Sequence, residues 1–252
     1  MADVFDHVTI RVSDVEASLR FYELAFARLG HDASHRGDGF GFYEWNDFSI
    51  WATQSGKPVT RGLHVALVAD SRAAVDEWWR AMTEAGHQDQ GAPGPRPQYS
   101  PRYYGAFVRD PDGNSVEAVQ HGEPRGGENW VDHLWIRVRD LVESRLFYET
   151  VAAALGLRVR DGSANRFHVT GGERSFALVM DEPVTENVHL AFPARDRATV
   201  EEFHRAAVEA GFRDNGAPGE RPEYHPGYYG AYVLDPDGNN IEAVFHDRSD
   251  GG

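Results

Sequence analysis

One 26-residue segment of this chain occurs twice in similar form. Residues 96–121 and 221–246 are identical at eighteen of twenty-six positions and lie 125 residues apart. The similarity continues towards the N-terminus, where DHVTIRVSDVEASLRFY is followed later by DHLWIRVRDLVESRLFY. A repeat of this length is far longer than a solenoid unit, so each copy is predicted to be a domain. We expect one domain at residues 1–121, a Gly-rich charged linker at 122–129, and a second domain at 130–247.

Within each copy, alternating apolar residues predict strands, and longer segments with helical spacing predict helices. The first helix is expected to begin in a capping box of Ser13 and Glu16 and to end at Gly30. A second helix is expected from Asp70 to Gly86. The other elements predicted for the first copy are strands at 39–45, 47–53, 62–69, 103–109 and 115–120, and a Pro/Gly-rich loop at 91–101. The predicted order is β-α-β-β-β, twice in each copy, which gives four modules in the chain.

Composition narrows the classes of partner. The 252 residues include 25 Lys and Arg and 40 Asp and Glu, so the net charge is 25 − 40 = −15. Nucleic acids and anionic membranes attract cationic proteins, so neither is an expected partner. No apolar run approaches the ~18 residues that a membrane span needs. The absence of cysteine and of an apolar leader favours a cytoplasmic location.

Residues that bind divalent metals recur at equivalent positions of the two copies. In the first strand, His7 lies on the face opposite Val8 and Ile10, and His64 and Glu117 follow on the fifth and eighth strands. The second copy has His133, His189 and Glu242 at the matching positions. Two imidazoles and one carboxylate form a facial triad with open positions for substrate, water or dioxygen.

Each of these residues, taken alone, is also explained as a partly exposed strand residue without a shared role. Recurrence of the whole set favours metal ligation. The grouping stays open, because a site can combine His7 with His64 and Glu117 of its own copy, or with His189 and Glu242 of the other.

The module order and the segments DHVTIRVSDVEASLRFY and DPDGNSVEAV resemble the vicinal oxygen chelate superfamily, over about residues 1–121 and 130–247. That superfamily contains glyoxalase I, extradiol dioxygenases, fosfomycin transferases and bleomycin-resistance proteins. The resemblance implies an α+β fold of two tandem glyoxalase-like domains, each of two βαβββ modules that form an open, mostly antiparallel barrel. It also implies a divalent metal, Fe²⁺ or else Mn²⁺, Ni²⁺ or Zn²⁺, bound by the six residues above.

The resemblance also orders the possible activities. Glyoxalase I has a fourth ligand, a Glu on the fourth strand, where this chain reads FSIWAT and SFALVM. Bleomycin-resistance proteins generally lack the ligands that are present here. The second copy resembles the extradiol dioxygenase signature, in which His225 and Tyr232 match residues that assist proton transfer and oxygen chemistry. The first copy has Ser100 and Phe107 instead.

We therefore expect a metal-dependent enzyme that acts on a small molecule, with Fe²⁺-dependent ring cleavage of the extradiol type as the leading activity. The alternatives are a lyase, isomerase or thiol transferase that uses the metal as a Lewis acid, and a protein that sequesters an antibiotic or metabolite. The expected assembly is a monomer with pseudo-twofold domains or a homodimer. The side chains expected to bind substrate are Arg11, Arg137, Tyr103 and Tyr228.

Overall fold

The computed structural model describes residues 4–31, 33–37, 39–43, 48–53, 58–122, 130–171 and 174–247. The predicted linker at 122–129 lies outside the described residues beyond Gly122. So do residues 44–45 of the strand predicted at 39–45 and residue 47 of the strand predicted at 47–53. None of the described helices is long and apolar enough to cross a membrane.

The first copy contains the predicted β-α-β-β-β order twice. Its elements are β1 (His7–Val12), α1 (Val15–Ala27), β2 (Ala33–Gly37), β3 (Phe40–Tyr43), β4 (Phe48–Ala52), β5 (His64–Val68), α2 (Arg72–Glu84), β6 (Asp89–Pro95), β7 (Tyr104–Arg109) and β8 (Ser115–Gln120). The burial of β1 alternates strictly, with His7 on the less buried face, as its sequence pattern predicts.

The second copy repeats this order. Its elements are β9 (Val131–Val138), α3 (Leu141–Leu155), β10 (Arg158–Asp161), β11 (Arg166–Gly171), β12 (Arg174–Met180), β13 (His189–Pro193), α4 (Arg197–Glu209), β14 (Arg213–Glu220), β15 (Tyr228–Leu234) and β16 (Asn240–His246). The prediction of an α+β chain with two tandem copies of paired βαβββ modules is confirmed, and its sheets are mixed and open.

The chain divides into two compact units whose limits fall inside the opening strands of the two copies. Thr9–Trp135 form the N-terminal unit, and the described residues of Met1–Val8 and Ile136–Gly252 form the C-terminal unit. Each unit therefore contains most of one copy together with the first residues of the other copy's opening strand. The domain limits at 1–121 and 130–247 stay a prediction.

Each unit has one central pair of parallel strands. In the N-terminal unit the strand order is β9-β5-β8-β7-β6, with β5 parallel to β8 and antiparallel to β9. In the C-terminal unit the corresponding order is β1-β13-β16-β15-β14, with β13 parallel to β16. All six residues of β8 are buried, as is usual for a strand covered on both faces.

The helix starts differ from the prediction by one residue. Helix α1 is capped by Asp14, whose carboxylate accepts the N–H of Ala17 at 2.9 Å. Ser13 instead donates its hydroxyl to Asp112 at 2.6 Å, so its side chain is used in a tertiary contact. Likewise, α2 is capped by Ser71 and not by Asp70. A sequence with adjacent Ser and Asp offers two caps, and at α1 the contact of Ser13 with Asp112 leaves Asp14 as the cap.

The loop predicted at 91–101 is wrong for its first part, because Asp89–Pro95 form strand β6 against β7. The pairing has register shifts on both sides of Gly91, and Gly94 lies opposite Gly105. β6 is the last strand in its order, and a strand with a free edge tolerates prolines that have no N–H to donate. The Pro and Gly residues therefore predicted a loop where the chain forms a bulged edge strand.

A buried aspartate organises each turn before the last strand of a copy. Asp110 accepts the backbone N–H groups of Asp112 and Asn114 at 3.0 and 2.8 Å, and the hydroxyl of Tyr22 at 2.9 Å. Asp235 has equivalent contacts in the second copy, and burial raises its pKa to about 6. These contacts fix where the final strand begins, and hence where its glutamate lies.

We predict that Asp110→Ala destabilises the protein by about 3 kcal/mol or more, because several buried donors lose their acceptor at about 1–3 kcal/mol each. Urea unfolding measures the loss. The control is Asp76→Ala, which removes an exposed carboxylate with one hydrogen bond from Tyr104 and should change stability by less than about 1 kcal/mol. Equal effects of the two substitutions would contradict the role given to Asp110.

Candidate metal centres

Strand pairing in the N-terminal unit brings two histidines and one glutamate together. In the parallel pair, His64 lies opposite Ser115 and Ala66 opposite Glu117, so His64 and Glu117 project from neighbouring strands on one face. On the other side of β5, His133 lies opposite Ala66. The Nε2 atom of His64 is 3.1 Å from Oε2 of Glu117, and Nε2 of His133 is 3.7 Å from the same oxygen. We call these three residues site N.

The C-terminal unit contains the equivalent group, His7, His189 and Glu242, which we call site C. Here the Nε2 atom of His189 is 3.0 Å from Oε2 of Glu242 and 3.0 Å from Nε2 of His7. The Nε2 atom of His7 is 3.7 Å from the same glutamate oxygen. Each of the two groups has one histidine from the opening strand of one copy and two residues from the other copy. The structure therefore brings the six residues together across the copies.

These donor atoms fit a divalent metal ion. Two ligand atoms about 2.1 Å from one metal lie about 3.0 Å apart at an octahedral angle and about 3.4 Å apart at a tetrahedral one. The spacings of 3.0 to 3.7 Å in site C lie near these values. Imidazole nitrogen with carboxylate oxygen is also a donor set for Fe²⁺, Mn²⁺, Ni²⁺ or Zn²⁺.

A carboxylate orients the opening-strand histidine of each site. Asp6 accepts the Nδ1–H of His7 at 2.7 Å, and Asp132 accepts that of His133 at the same distance. In both cases a proton on Nδ1 makes Nε2 the nitrogen that could ligate a metal. Burial alone would raise the pKa of Asp6, but hydrogen bonds from His246 and His7 lower it to about 2. Burial would likewise raise the pKa of Asp132, but hydrogen bonds from His121 and His133 hold it well below its usual range.

The remaining histidines have a polar neighbour at Nδ1 as well. Ser115 Oγ lies 2.9 Å from Nδ1 of His64, and Nδ2 of Asn240 lies 2.6 Å from Nδ1 of His189. A hydroxyl accepts a hydrogen bond after rotation, so Ser115 suits a His64 ring that ligates through Nε2. The amide nitrogen of Asn240 donates, while its Oδ1 accepts from Asn215 at 2.9 Å, so a neutral His189 carries its proton on Nε2 and would release it when a metal binds there.

Tyr103 and Tyr228, predicted to bind substrate, each contact a candidate metal ligand. Tyr103 donates its hydroxyl to Oε1 of Glu117 at 2.8 Å, and Tyr228 donates to Oε1 of Glu242 at 2.7 Å. Both tyrosines are only 6 % exposed. Burial, together with the negative glutamate, raises the pKa of each hydroxyl far above its usual value, so each stays a donor. Their contact orients the carboxylate, and a substrate contact stays a prediction.

The two predicted catalytic residues both lie in the C-terminal unit. The ring of Tyr232 is 6.2 Å from that of His189, and its hydroxyl lies near Glu242, since both would be within 3.5 Å of a Cβ at Gly230. Burial and that glutamate raise the pKa of Tyr232. His225 contacts His246, with its Nε2 atom 2.8 Å from Nδ1 of that residue. Their catalytic roles stay predictions, although Tyr232 is adjacent to site C.

Arg11 and Arg137 occupy half-buried positions on the opening strands, four residues after His7 and His133. That separation corresponds to about 13 Å along a strand, so neither guanidinium is close to its own strand's histidine by position alone. The Nε atom of Arg137 lies 3.6 Å from a carboxylate oxygen of Asp181. Their role in binding substrate stays a prediction.

Asp6 and Asp132 are the main residues that the sequence reasoning missed. Each directly precedes a predicted ligand, and the dipeptide Asp-His opens both copies. A residue next to a ligand points to the opposite face of a regular strand, so alternation gave no reason to select it. The repeated dipeptide was the available signal.

The sequence matches one protein superfamily in both of its copies. The profile of the Glyoxalase/Bleomycin resistance protein/Dioxygenase superfamily matches residues 4–118 and 130–243. These two matches cover most of the sequence, and the βαβββ modules are those that the resemblance implied. The chain belongs to this superfamily, as a member with two tandem copies. No curated protein sequence is significantly similar to it.

Solved structures agree with this fold. Glyoxalase I from Zea mays is 20 % identical, with a TM-score of 0.68 over 97 % of this chain and 93 % of that one. A mutant of the same enzyme is 21 % identical, with a TM-score of 0.69 over the same shares. A suspected dioxygenase from Bacillus subtilis is 12 % identical, with a TM-score of 0.66 over 98 % of this chain and 86 % of that one. At these identities the similarity is one of fold.

Glu117 provides a test of site N in the metal-free protein. Burial raises its pKa to about 7, although His133 and the hydroxyl of Tyr103 act in the opposite direction. In the unfolded chain the carboxyl ionises near 4.5. Between these values the folded state retains a proton that the unfolded state has lost. Stability should therefore fall as pH rises from about 4.5 to 7, by about 3 kcal/mol from this residue.

We predict that Glu117→Gln, which keeps an acceptor for Tyr103, removes this part of the pH dependence. Urea unfolding of the metal-free variant and parent between pH 4.5 and 8 measures the difference. The control is Glu77→Gln, an exposed position on α2, which should leave the profile unchanged. A parent and a Glu117→Gln variant with parallel profiles would show that Glu117 ionises normally in the fold.

Proposed function

We propose that the protein is a divalent-metal enzyme that acts on a small molecule through two adjacent oxygen atoms, with Fe²⁺-dependent ring cleavage of a catechol-like substrate as its reaction. The geometry of site C carries the proposal: two imidazole nitrogens and one carboxylate oxygen lie 3.0 to 3.7 Å apart, with Tyr232 beside them. When bound, the metal supplies open coordination positions for substrate oxygens and dioxygen.

The chain's own residues prepare the ligands. Asp6 holds the proton of His7 on Nδ1, so that Nε2 faces Glu242. Tyr228 donates to one carboxylate oxygen of Glu242, which leaves the other to face the two histidines. Groups held by such contacts do not need to reorganise when a metal binds.

Tyr232 is the group best placed to act on a substrate bound at site C. Burial and the negative charge of Glu242 raise the pKa of Tyr232, which keeps its hydroxyl protonated at neutral pH. It can therefore donate a hydrogen bond to an oxygen atom that approaches the site. The first copy has Phe107 at this position, and its ring is 6.0 Å from that of His64. Site N thus has the candidate ligands without this hydroxyl.

The ligand number favours oxygen chemistry over the glyoxalase I reaction. A fourth carboxylate is expected on the fourth strand of a module in a glyoxalase I site. Among the residues that the structure describes, neither β4 (Phe48–Ala52) nor β12 (Arg174–Met180) contains an Asp or Glu. A Lewis-acid lyase, isomerase or thiol transferase uses the same three ligands and is distinguished by its independence of oxygen.

The acidic chain, at a net charge of −15, supports a small-molecule substrate and not a nucleic acid or an anionic membrane. A cytoplasmic location, and an assembly as a monomer with pseudo-twofold domains or as a homodimer, stay predictions.

We expect anaerobic loading with Fe²⁺ to give two metal equivalents per chain, with one equivalent lost in Glu117→Ala and one in Glu242→Ala. Oxygen uptake with a panel of catechols should be abolished by Glu242→Ala and retained by Glu117→Ala, because only site C has Tyr232 beside it. The matched control is Glu223→Ala, an exposed carboxylate of the same unit.

The outcomes separate the alternatives. Turnover that proceeds without oxygen, or with Mn²⁺, Ni²⁺ or Zn²⁺, would replace ring cleavage by Lewis-acid chemistry. Ligand binding without turnover or metal would leave a sequestering protein.

A further inference from the structure

A chain of hydrogen-bonded groups leads outward from site C. Asp6 contacts His7 through Oδ1 at 2.7 Å and His246 through Oδ2 at 3.0 Å. The Nδ1 atom of His246 is 2.8 Å from Nε2 of His225. The Nδ1 atom of His225 is in turn 2.7 Å from the carbonyl oxygen of Pro226. His246 and His225 are stacked, with ring centroids 5.0 Å apart.

The acceptors at the two ends fix the protons of this pair. The carbonyl oxygen of Pro226 only accepts, so Nδ1 of His225 carries a proton. The Asp6 carboxylate also only accepts, so Nε2 of His246 carries a proton as well. Each ring therefore has its donor nitrogen facing an oxygen acceptor, and the other nitrogen of each ring faces its neighbour.

His246 holds the Asp6 carboxylate by its second oxygen. With His246 bound to Oδ2, Oδ1 is kept facing the Nδ1–H of His7, and His225 holds the His246 ring by its contact at Nδ1 and by stacking. An imidazole that donates to a carboxylate is a more basic and better oriented metal ligand. His246 and His225 thus act on the candidate ligand His7 through Asp6.

Site N has a shorter chain. His121 and His133 both contact the same oxygen, Oδ1 of Asp132, at 3.1 and 2.7 Å. The position equivalent to His225 is Ser100, so an imidazole is missing at the position that would stack on His121. The two sites have the same candidate ligands but different outer groups.

We propose that His246 and His225 are positioning residues for His7, and that they make site C the tighter of the two metal sites. The inference rests on the metal-binding part of the proposed function and does not depend on the reaction. Removal of an outer partner of a metal ligand typically weakens metal binding about 10–100-fold.

Single-site variants test this proposal. Glu117→Ala leaves site C and Glu242→Ala leaves site N, and titration with Mn²⁺ or Co²⁺ gives a dissociation constant for each. We expect site C to bind about tenfold more tightly or better. In the Glu117→Ala background, His246→Asn should weaken binding by about 10–100-fold, because the shorter amide does not reach Asp6. His246→Gln, whose amide nitrogen lies where Nε2 does, should restore most of the affinity. His225→Ser, which copies the first repeat, should bring site C close to site N.

Two further measurements separate positioning from loss of fold. The visible spectrum of bound Co²⁺ reports the ligand field of the site, and it should change in His246→Asn and return in His246→Gln. The control is His204→Asn, a histidine of the same unit that contacts Asp214 at 2.9 Å, which should leave affinity and spectrum unchanged. Thermal unfolding without metal checks that the variants are folded.

The proposal is overturned if both sites bind equally, or if His246→Asn binds as the parent does. Reduced turnover in His225→Ser with unchanged affinity would also overturn it and would make His225 a participant in the chemistry. If Glu117→Ala binds no metal at all, the proposed function fails first, and this outcome is distinct from the others.

Discussion

A carboxylate buried beside two imidazoles is the constraint on which both halves of the molecule depend. Glu117 and Glu242 are each only 1 % exposed, and a buried carboxylate needs close partners. A tyrosine hydroxyl and a histidine provide them in each copy. A glycine on the neighbouring strand makes room, because a Cβ at Gly230 would lie 2.6 Å from Oε1 of Glu242. The recurring Tyr, Gly and Glu of the repeated segment are thus three parts of one arrangement.

The duplication explains why neither copy completes a site alone. A parallel pair of strands places His64 next to Glu117, but the third residue comes from the antiparallel neighbour on the other side, which begins the second copy. The same holds for His7 beside the strands that carry His189 and Glu242. Each unit therefore closes its site with a strand segment from the other copy. Residues of one site therefore come from both copies and are far apart in the sequence.

The sequence was informative where the signal is local. Alternation placed His7 on the polar face of its strand, and the repeat identified the six candidate ligands. Local patterns failed where a tertiary partner decides. Ser13 is used by Asp112 and not as a cap, and the prolines and glycines of Asp89–Pro95 concealed an edge strand. The pairing of His7 with residues 182 positions and more away was left open, because both groupings satisfy the same alternation.

The differences between the copies carry the functional argument further than their similarities. Arg96 lies over the ring of Phe107 at 5.4 Å, and Arg221 lies over that of Tyr232 at 5.5 Å, so both copies hold an aromatic ring in the same way. The hydroxyl of Tyr232 adds little to that packing, and it lies near Glu242, whose negative charge raises its pKa. His225 is likewise absent from the first copy, whose fold is the same without it. The fold forms in the first copy without either side chain, and both occur near site C. A function that belongs to site C alone best explains their presence.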